Sequence, residues 1–373
     1  MLLASSAAAP YTRVTQVTDS QTTMDSLTRW KQRHEDTGYI LQTNAALLQT
    51  TVAHLRARKG HTLFQWVKGH SGHPENEAAD KLAALGAAKA TGDQLQLSIP
   101  PLFRISGAKL QSMTQKLAYR AIRKRLEARV EPRPRTVANL DRITSGIQAH
   151  FGVQLHDAAI WRSFRTKHVS RSASQFLWMA THDGYMIGSH WLRPNMSEEL
   201  QRREQCSSCG ERESMSHIAF ECRAVGQELI WGLLKELWLL TEAGWMEPCW
   251  GTAFGAACAV FKTDTGRRRA ATESLWCILC TEALHLIWKL RCERVIQREG
   301  EEFTVQYVTN RFFSTLESRL GLDRRTAVRA RGKFSLTPSE VDRIWSPILN
   351  EGKDLPPGWV VNCGVLVGIK RGR

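Results

Sequence analysis

The spacing of apolar residues changes along the chain, and each change marks a different element. Val14 to Thr18 is a short β-rich run that leads into Asp19-Ser20-Gln21. Met24, Leu27 and Trp30 then recur at helical spacing, which predicts a helix over Thr22 to Arg33. Asn44 reads as an N-cap, because Ala45, Leu48, Val52 and Leu55 follow it on one helix face and Gly60 stops the pattern. The apolar run Leu63 to Val67 predicts a buried strand ending at Lys68-Gly69. Pro74 then opens another helix, with Glu75 and Glu77 in the first turn where the helix dipole favours negative charge.

After Ala90 the pattern changes. Thr91-Gly92-Asp93 and Ile99-Pro100-Pro101 read as a linker. A helix is predicted from about Ser106 to Arg129, with Leu110, Met113, Leu117 and Leu126 on one side. Ten Lys or Arg residues against two acids lie between Arg104 and Arg135, which reads either as a solvated face or as a phosphate-backbone contact. Arg133 and Arg135 sit in a Pro-interrupted tail that cannot continue the helix. Ala271 to Arg298 reads as one long helix; its most apolar part, Leu275 to Leu290, is interrupted by Glu282, His285 and Lys289 and so predicts a buried helix. Phe312, Leu316 and Leu320 suggest another helix before the basic run Arg324 to Lys333, and Leu355-Pro356-Pro357-Gly358 predicts a turn before a strand-like tail.

A net charge of +15 points to a polyanionic partner, nucleic acid before an acidic membrane surface, because no long uninterrupted apolar run is present. Nine cysteines, an odd number without a disulfide-like pattern, fit a reducing compartment, nucleus or cytoplasm. The first residues lack the basic start of a secretory signal.

Two constellations carry candidate chemistry. The first is His70-x-Gly72-x-x-x-Asn76-Glu77-x-x-Asp80, a histidine loop at the carboxyl end of a strand followed by a helix with Asn76 and Asp80 on one face. This string resembles the final strand, histidine loop and last helix of type 1 ribonuclease H. Thr18-Asp19-Ser20-Gln21 is similar to a second motif of that family. The resemblance implies catalytic roles for Asp19, His70 and Asp80, with Asp19 and Asp80 holding magnesium and Gln21 touching nucleic acid. Asn44 matches a family position that contacts the RNA–DNA hybrid, and a simple cap is the equal alternative. The family places four carboxylates around a magnesium pair, which activates water and relieves charge on the leaving oxygen. Met1 to Ala9 matches the end of the family's first helix, so two of the four acids would fall before Met1. The reading is therefore of a domain lacking its first strands, with weak magnesium binding, weak or absent hydrolysis, and an apolar edge on Val14–Thr18.

The second constellation is Cys206-x2-Cys209-x7-His217-x4-Cys222. Three thiolates and one imidazole can close a tetrahedral zinc site without an open position. With Trp161, Gln175 to Met179, His182, Gly188 and Trp191 before it, the segment looks like the zinc-binding part found downstream of the reverse transcriptase in retroelement polyproteins. His182 and His190 read as packing residues. Cys277 and Cys280 read as core, three apart on an apolar helix.

The expected fold is α/β: a partial ribonuclease H-like domain over 1–90, a basic helical linker over 91–145, a zinc-binding-like segment over 146–235 and a helical region over 236–373. The expected function is endonucleolytic hydrolysis of RNA in RNA–DNA hybrids by a protein of retroelement origin. The alternatives are a non-catalytic nucleic-acid-binding or zinc-dependent interaction protein, and a gene whose true start lies upstream. The sequence names no protein partner.

Overall fold

The computed structural model describes residues 7–371 apart from 93, 106, 128, 330–334, 351, 353 and 363. It divides into two compact units, Met1–Glu131 and Pro132–Arg373. A small parallel sheet with flanking helices comes first, and a largely helical region follows.

In the N-terminal unit β1 (Val14–Thr18) pairs in parallel with β2 (Thr62–Trp66), in a register running from Val14 opposite Thr62 to Thr18 opposite Trp66. Parallel strands need a crossover connection, here supplied by α1 (Gln21–Leu27), α2 (Lys31–Asp36) and α3 (Ala45–Ala57). The helix expected over Thr22 to Arg33 is thus broken in two. The Thr28 hydroxyl donates to the Met24 carbonyl at 2.7 Å, and its backbone leaves helical geometry at φ −118°, ψ −82°. Leu27, Tyr39, Val52, Ala53 and Leu117 are buried apolar residues of the unit. Glu35, itself buried, is held by Arg56 of α3 at 2.6 Å.

The strand expected to be buried is not. Leu63 and Trp66 of β2 are 43% and 46% exposed, and Val17 of β1 is 44% exposed, so the two-stranded sheet keeps apolar surface open. α4 (Pro74–Ala87) follows the histidine loop, and Asn76 is its one buried residue. The helix expected from Ser106 to Arg129 shortens to α5 (Gln115–Glu127), where Thr114 Oγ1 accepts from the Leu117 N–H. Of its expected apolar face only Leu117 is buried, while Leu110 and Leu126 are exposed; Ser106 lies outside the described residues. Residues 1–6 of the expected helix end over Met1 to Ala9 and part of the basic run Arg324 to Lys333 also lie outside them.

The C-terminal unit opens with α6 (Pro134–Phe151). Pro134 ends nothing here; it is a first-turn residue, so the supposed tail around Arg133 and Arg135 is a helix start. α7 (Asp157–Ser163), α8 (Arg171–Thr181), α9 (Glu198–Gln201) and α10 (Gln227–Trp238) follow, then α11 (Ala270–Cys292), α12 (Val305–Arg329) and α13 (Pro338–Trp345). α11 is the centre of this unit and packs against α8, α10, α12 and α13. Residues on every side of it are buried, as its continuous apolar run requires. Its interrupting Glu282 is accommodated by Arg319 of α12 at 3.3 Å, and Arg319 also bonds Asp323 at 2.9 Å. Cys277 and Cys280 are buried core residues of α11. Among the described residues the expected strand-like tail forms no strand, and Leu349 and Ile369 make an isolated bridge. Among the described residues, no helix is long and apolar enough to cross a membrane.

Candidate functional site

Asp19 follows β1 directly, and the turn beyond β2 comes close to it. Trp66 Nε1 donates to the Asp19 carbonyl at 3.0 Å, and Asn76 Nδ2 donates to Asp19 Oδ2 at 3.3 Å. A Cβ on Gly69 would sit 2.8 Å from that same Oδ2, so glycine permits the approach of the loop. Ser20, not Asp19, caps α1: its Oγ accepts from the Thr23 N–H at 3.3 Å. The Asp19 carboxylate is therefore free of the capping duty that an Asp after a strand ordinarily has.

His70 holds a left-handed backbone, φ 53°, and its side chain is 89% exposed. Its Nδ1 lies 3.6 Å from Asp80 Oδ2. That oxygen is shielded from solvent and makes no hydrogen bond, so the His70 imidazole is the charged group set against it. The first turn of α4 thus gives Asn76 to Asp19, and the second gives Asp80 to His70. Gln21 is exposed and donates from Nε2 to Asp25 at 3.1 Å. Asn44 occupies the N-cap position of α3 without capping it; its exposed side chain borders a cavity of about 650 Å³ together with Thr18, Thr22 and Gln42. Sequence reasoning missed the Trp66 and Asn76 bonds to Asp19, because nothing in their spacing reveals the register of the two strands.

Magnesium fits these residues only in part. Asp80 offers an oxygen without a hydrogen bond, but Asp19, His70 and Asp80 form no metal-sized group among the described residues. Two carboxylates fall short of the oxygen set that a magnesium pair draws from several elements.

The second site does close. Ligand atoms of Cys206, Cys209, His217 and Cys222 all lie within 4.8 Å of one another. Cys206 Sγ and Cys222 Sγ are 3.7 Å apart, and Cys209 Sγ and His217 Nε2 are 3.3 Å apart. A tetrahedron with zinc–sulfur bonds of about 2.3 Å has an edge of about 3.8 Å, so the donor set fits zinc. The three cysteines are in no disulfide, and with His217 they form a cluster that can hold a metal ion.

Local folding explains the convergence. Gln205 pairs with Arg212 in an antiparallel bridge, and Gly210 takes φ 73° so that its N–H returns to the Cys206 carbonyl at 2.9 Å. His217 starts a π-helical turn, His217–Glu221, whose end brings the Cys222 N–H to the His217 carbonyl at 2.8 Å. Buried Glu213 anchors the segment to Arg291 of α11. Burial opposes ionisation of Cys206, yet hydrogen bonds from His217 and from the Ser208 and Cys209 backbone outweigh it and bring the thiol down to about 7. Burial pushes the Cys222 thiol up to about 11.

Comparison with known proteins bears on the N-terminal segment. The RNase H family model matches residues 2–88. The ribonuclease H of Zymomonas mobilis is 40% identical over 72 residues, which are 18% of this chain and 45% of that protein. The ribonuclease H of Methylococcus capsulatus is 38% identical over 73 residues, 19% and 47% of the two chains. That of Hahella chejuensis is 38% identical over 79 residues, 20% and 53%. This chain spans about half the length of the curated relatives it matches. No solved structure matches it. The N-terminal segment is therefore similar to the RNase H family, and it is joined to a largely helical region carrying a Cys3His metal-binding cluster.

Proposed function

We propose that the chain is a nucleic-acid-binding protein whose N-terminal unit engages RNA–DNA hybrids on a ribonuclease H-like scaffold, without efficient hydrolysis by the described residues. One observation carries this reading. At the carboxyl end of the parallel strand pair Asn76 bonds Asp19 and His70 faces Asp80, yet these groups form no three-ligand metal cluster among the described residues. The match of residues 2–88 supports the scaffold, and the net charge of +15 supports a polyanionic ligand. Gln21 and Asn44, both exposed, are the side chains we assign to nucleic-acid contact. The Cys206, Cys209, His217 and Cys222 centre holds structural zinc in this proposal, of the kind that follows the reverse transcriptase in retroelement polyproteins.

The test separates binding from cutting. Purified protein is titrated with a labelled RNA–DNA hybrid and with a DNA duplex, and the RNA strand is then followed in magnesium. Saturable hybrid binding with intact RNA supports the proposal, and no preference for the hybrid would sink it.

A second reading is favoured by Asp80 Oδ2, which faces His70 and makes no hydrogen bond. Under it the N-terminal unit hydrolyses the RNA of the hybrid, with Asp19 and Asp80 as magnesium ligands and His70 aiding proton transfer or product departure. It requires further carboxylates from outside the described residues. Magnesium-dependent cutting that is abolished by Asp80→Asn would put this reading in place of the first.

A further inference from the structure

A cluster of charge lies in the C-terminal unit, where the start of α6 meets the segment from His182 to Arg193. A cavity of about 660 Å³ opens there, bordered by Arg133, Arg135, Arg193, His182 and His190 and by one acid, Asp183. Asp183 Oδ2 accepts from Arg135 Nη1 at 2.6 Å and from His190 Nε2 at 2.9 Å. Arg193 Nη2 lies 2.9 Å from His190 Nδ1, which completes a chain from Arg193 through His190 to Asp183 and Arg135. His190, read from the sequence as packing, is therefore a link between two arginines. Its neutral tautomer satisfies both bonds, with Nε2–H donating and Nδ1 accepting.

The charges are unequal in number and in depth. Three guanidiniums face one carboxylate, leaving two positive charges unbalanced. Asp183 is 23% exposed and His190 16%, while Arg135 is 60% exposed, so the acid is sunk and the cations face outward. Asp183 also takes a left-handed backbone, φ 51°, which a non-glycine residue adopts at a cost. The first turn of α6 borders the same cavity with no side-chain cap and no acid, so its amide N–H groups and the dipole of an 18-residue helix favour an anion there.

An aromatic platform stands beside the cations. His182 stacks on Trp161 with ring centroids 4.6 Å apart and meets Trp178 edge-on at 4.4 Å. Trp178 is 45% exposed. Arginines that track a backbone next to an exposed aromatic ring are the means by which single strands are held regardless of sequence. We propose that this pocket binds the phosphodiester backbone of a single-stranded nucleic acid through Arg133, Arg135 and Arg193, with Trp178 as the surface on which a base stacks. The site is separate from the ribonuclease H-like unit and does not depend on its reading.

The test uses the full chain and a fluorescein-labelled oligouridylate of about 20 nucleotides, followed by anisotropy between about 50 and 200 mM salt. Arg133→Gln/Arg193→Gln should weaken binding roughly tenfold and reduce the salt slope by about 1.4, two phosphate contacts at about 0.7 each. Trp178→Ala should weaken it roughly tenfold as well, since a lost stack costs that order. Arg267→Gln/Arg329→Gln removes the same charge elsewhere and should change little. All the residues replaced are exposed, so unchanged circular dichroism is expected. Wild-type affinity in Arg133→Gln/Arg193→Gln, or an equal loss in the control pair, would overturn the site. An equal loss of affinity for an RNA–DNA hybrid would overturn its separateness. Wild-type affinity in Trp178→Ala, with inorganic phosphate displacing the strand at equal phosphate concentration, would leave a free-anion site and overturn the nucleic-acid assignment.

Discussion

His70 Nδ1 stands 3.6 Å from Asp80 Oδ2, over a helix that starts only four residues beyond the histidine. The histidine side chain is 89% exposed and the aspartate 42%, so the pair sits in water and contributes little to stability. Exposed pairs of this kind are worth about 0–1 kcal/mol.

Asp80→Asn should therefore leave the denaturation midpoint unchanged, with a loss below about 0.5 kcal/mol. It removes a negative charge from the surface we propose to meet phosphate, so hybrid affinity in metal-free buffer should rise. Anisotropy in chelator, beside urea unfolding, checks both. A large fall in stability would show that Asp80 is a structural residue and no site at all.

Metal analysis should find about one zinc per chain, and Cys209→Ser should lose most of it. Because the hairpin around Cys206 and the turn at His217 each present ligands to one centre, chelation should also lower the melting temperature of the C-terminal unit. Equal zinc in wild type and variant would sink the centre.

Glu213 and Arg291 form an ion pair with side chains 2% and 10% exposed. Glu213→Gln leaves the guanidinium buried with a neutral partner. A loss of about 3–5 kcal/mol is expected when a buried charge loses its counterion. A double replacement of Glu213 and Arg291 by apolar residues of similar volume should recover much of it. Chemical denaturation of the single and double variants measures the difference, and a near-neutral Glu213→Gln would contradict the argument.

His168 gives the C-terminal unit a pH dependence. Burial, with the charges of Lys167 and Arg319, lowers its pKa from 6.5 to about 4, against the opposing charge of Glu340. The unfolded chain then binds a proton below pH 6.5 that the folded chain refuses until about pH 4. Stability is full above 6.5 and falls as pH drops through that window, by up to about 3 kcal/mol. His168→Gln should flatten this part of the stability curve. An unchanged slope between pH 6.5 and 4 would place the titration elsewhere.

Some of this was legible in the residues alone. The His70 to Asp80 string is local, with a strand, a turn and a helix in one short run, and local spacing suffices to put Asn76 and Asp80 on one face. Cys206, Cys209, His217 and Cys222 are likewise close in sequence, and their chemistry identifies a metal centre before any fold is known. The long apolar helix was legible because a run with no polar face has only the core in which to lie.

What spacing could not reveal is which distant groups meet. Asn76 turns out to bond Asp19, fifty-seven positions away, because the parallel register sets β1 beside β2. Leu63 and Trp66 look like core and lie exposed, since burial depends on what covers a strand and not on its own composition. Pro134 reads as a break and begins a helix, because proline ends one helix and suits the first turn of the next equally well. Glu282 is tolerated inside α11 only because Arg319 arrives from another helix. The sequence by itself determined the two clusters of chemistry and the helical character of the second unit. The tertiary structure decided their partners, since hydrogen bonds and ion pairs between remote residues exist only once the chain has been packed.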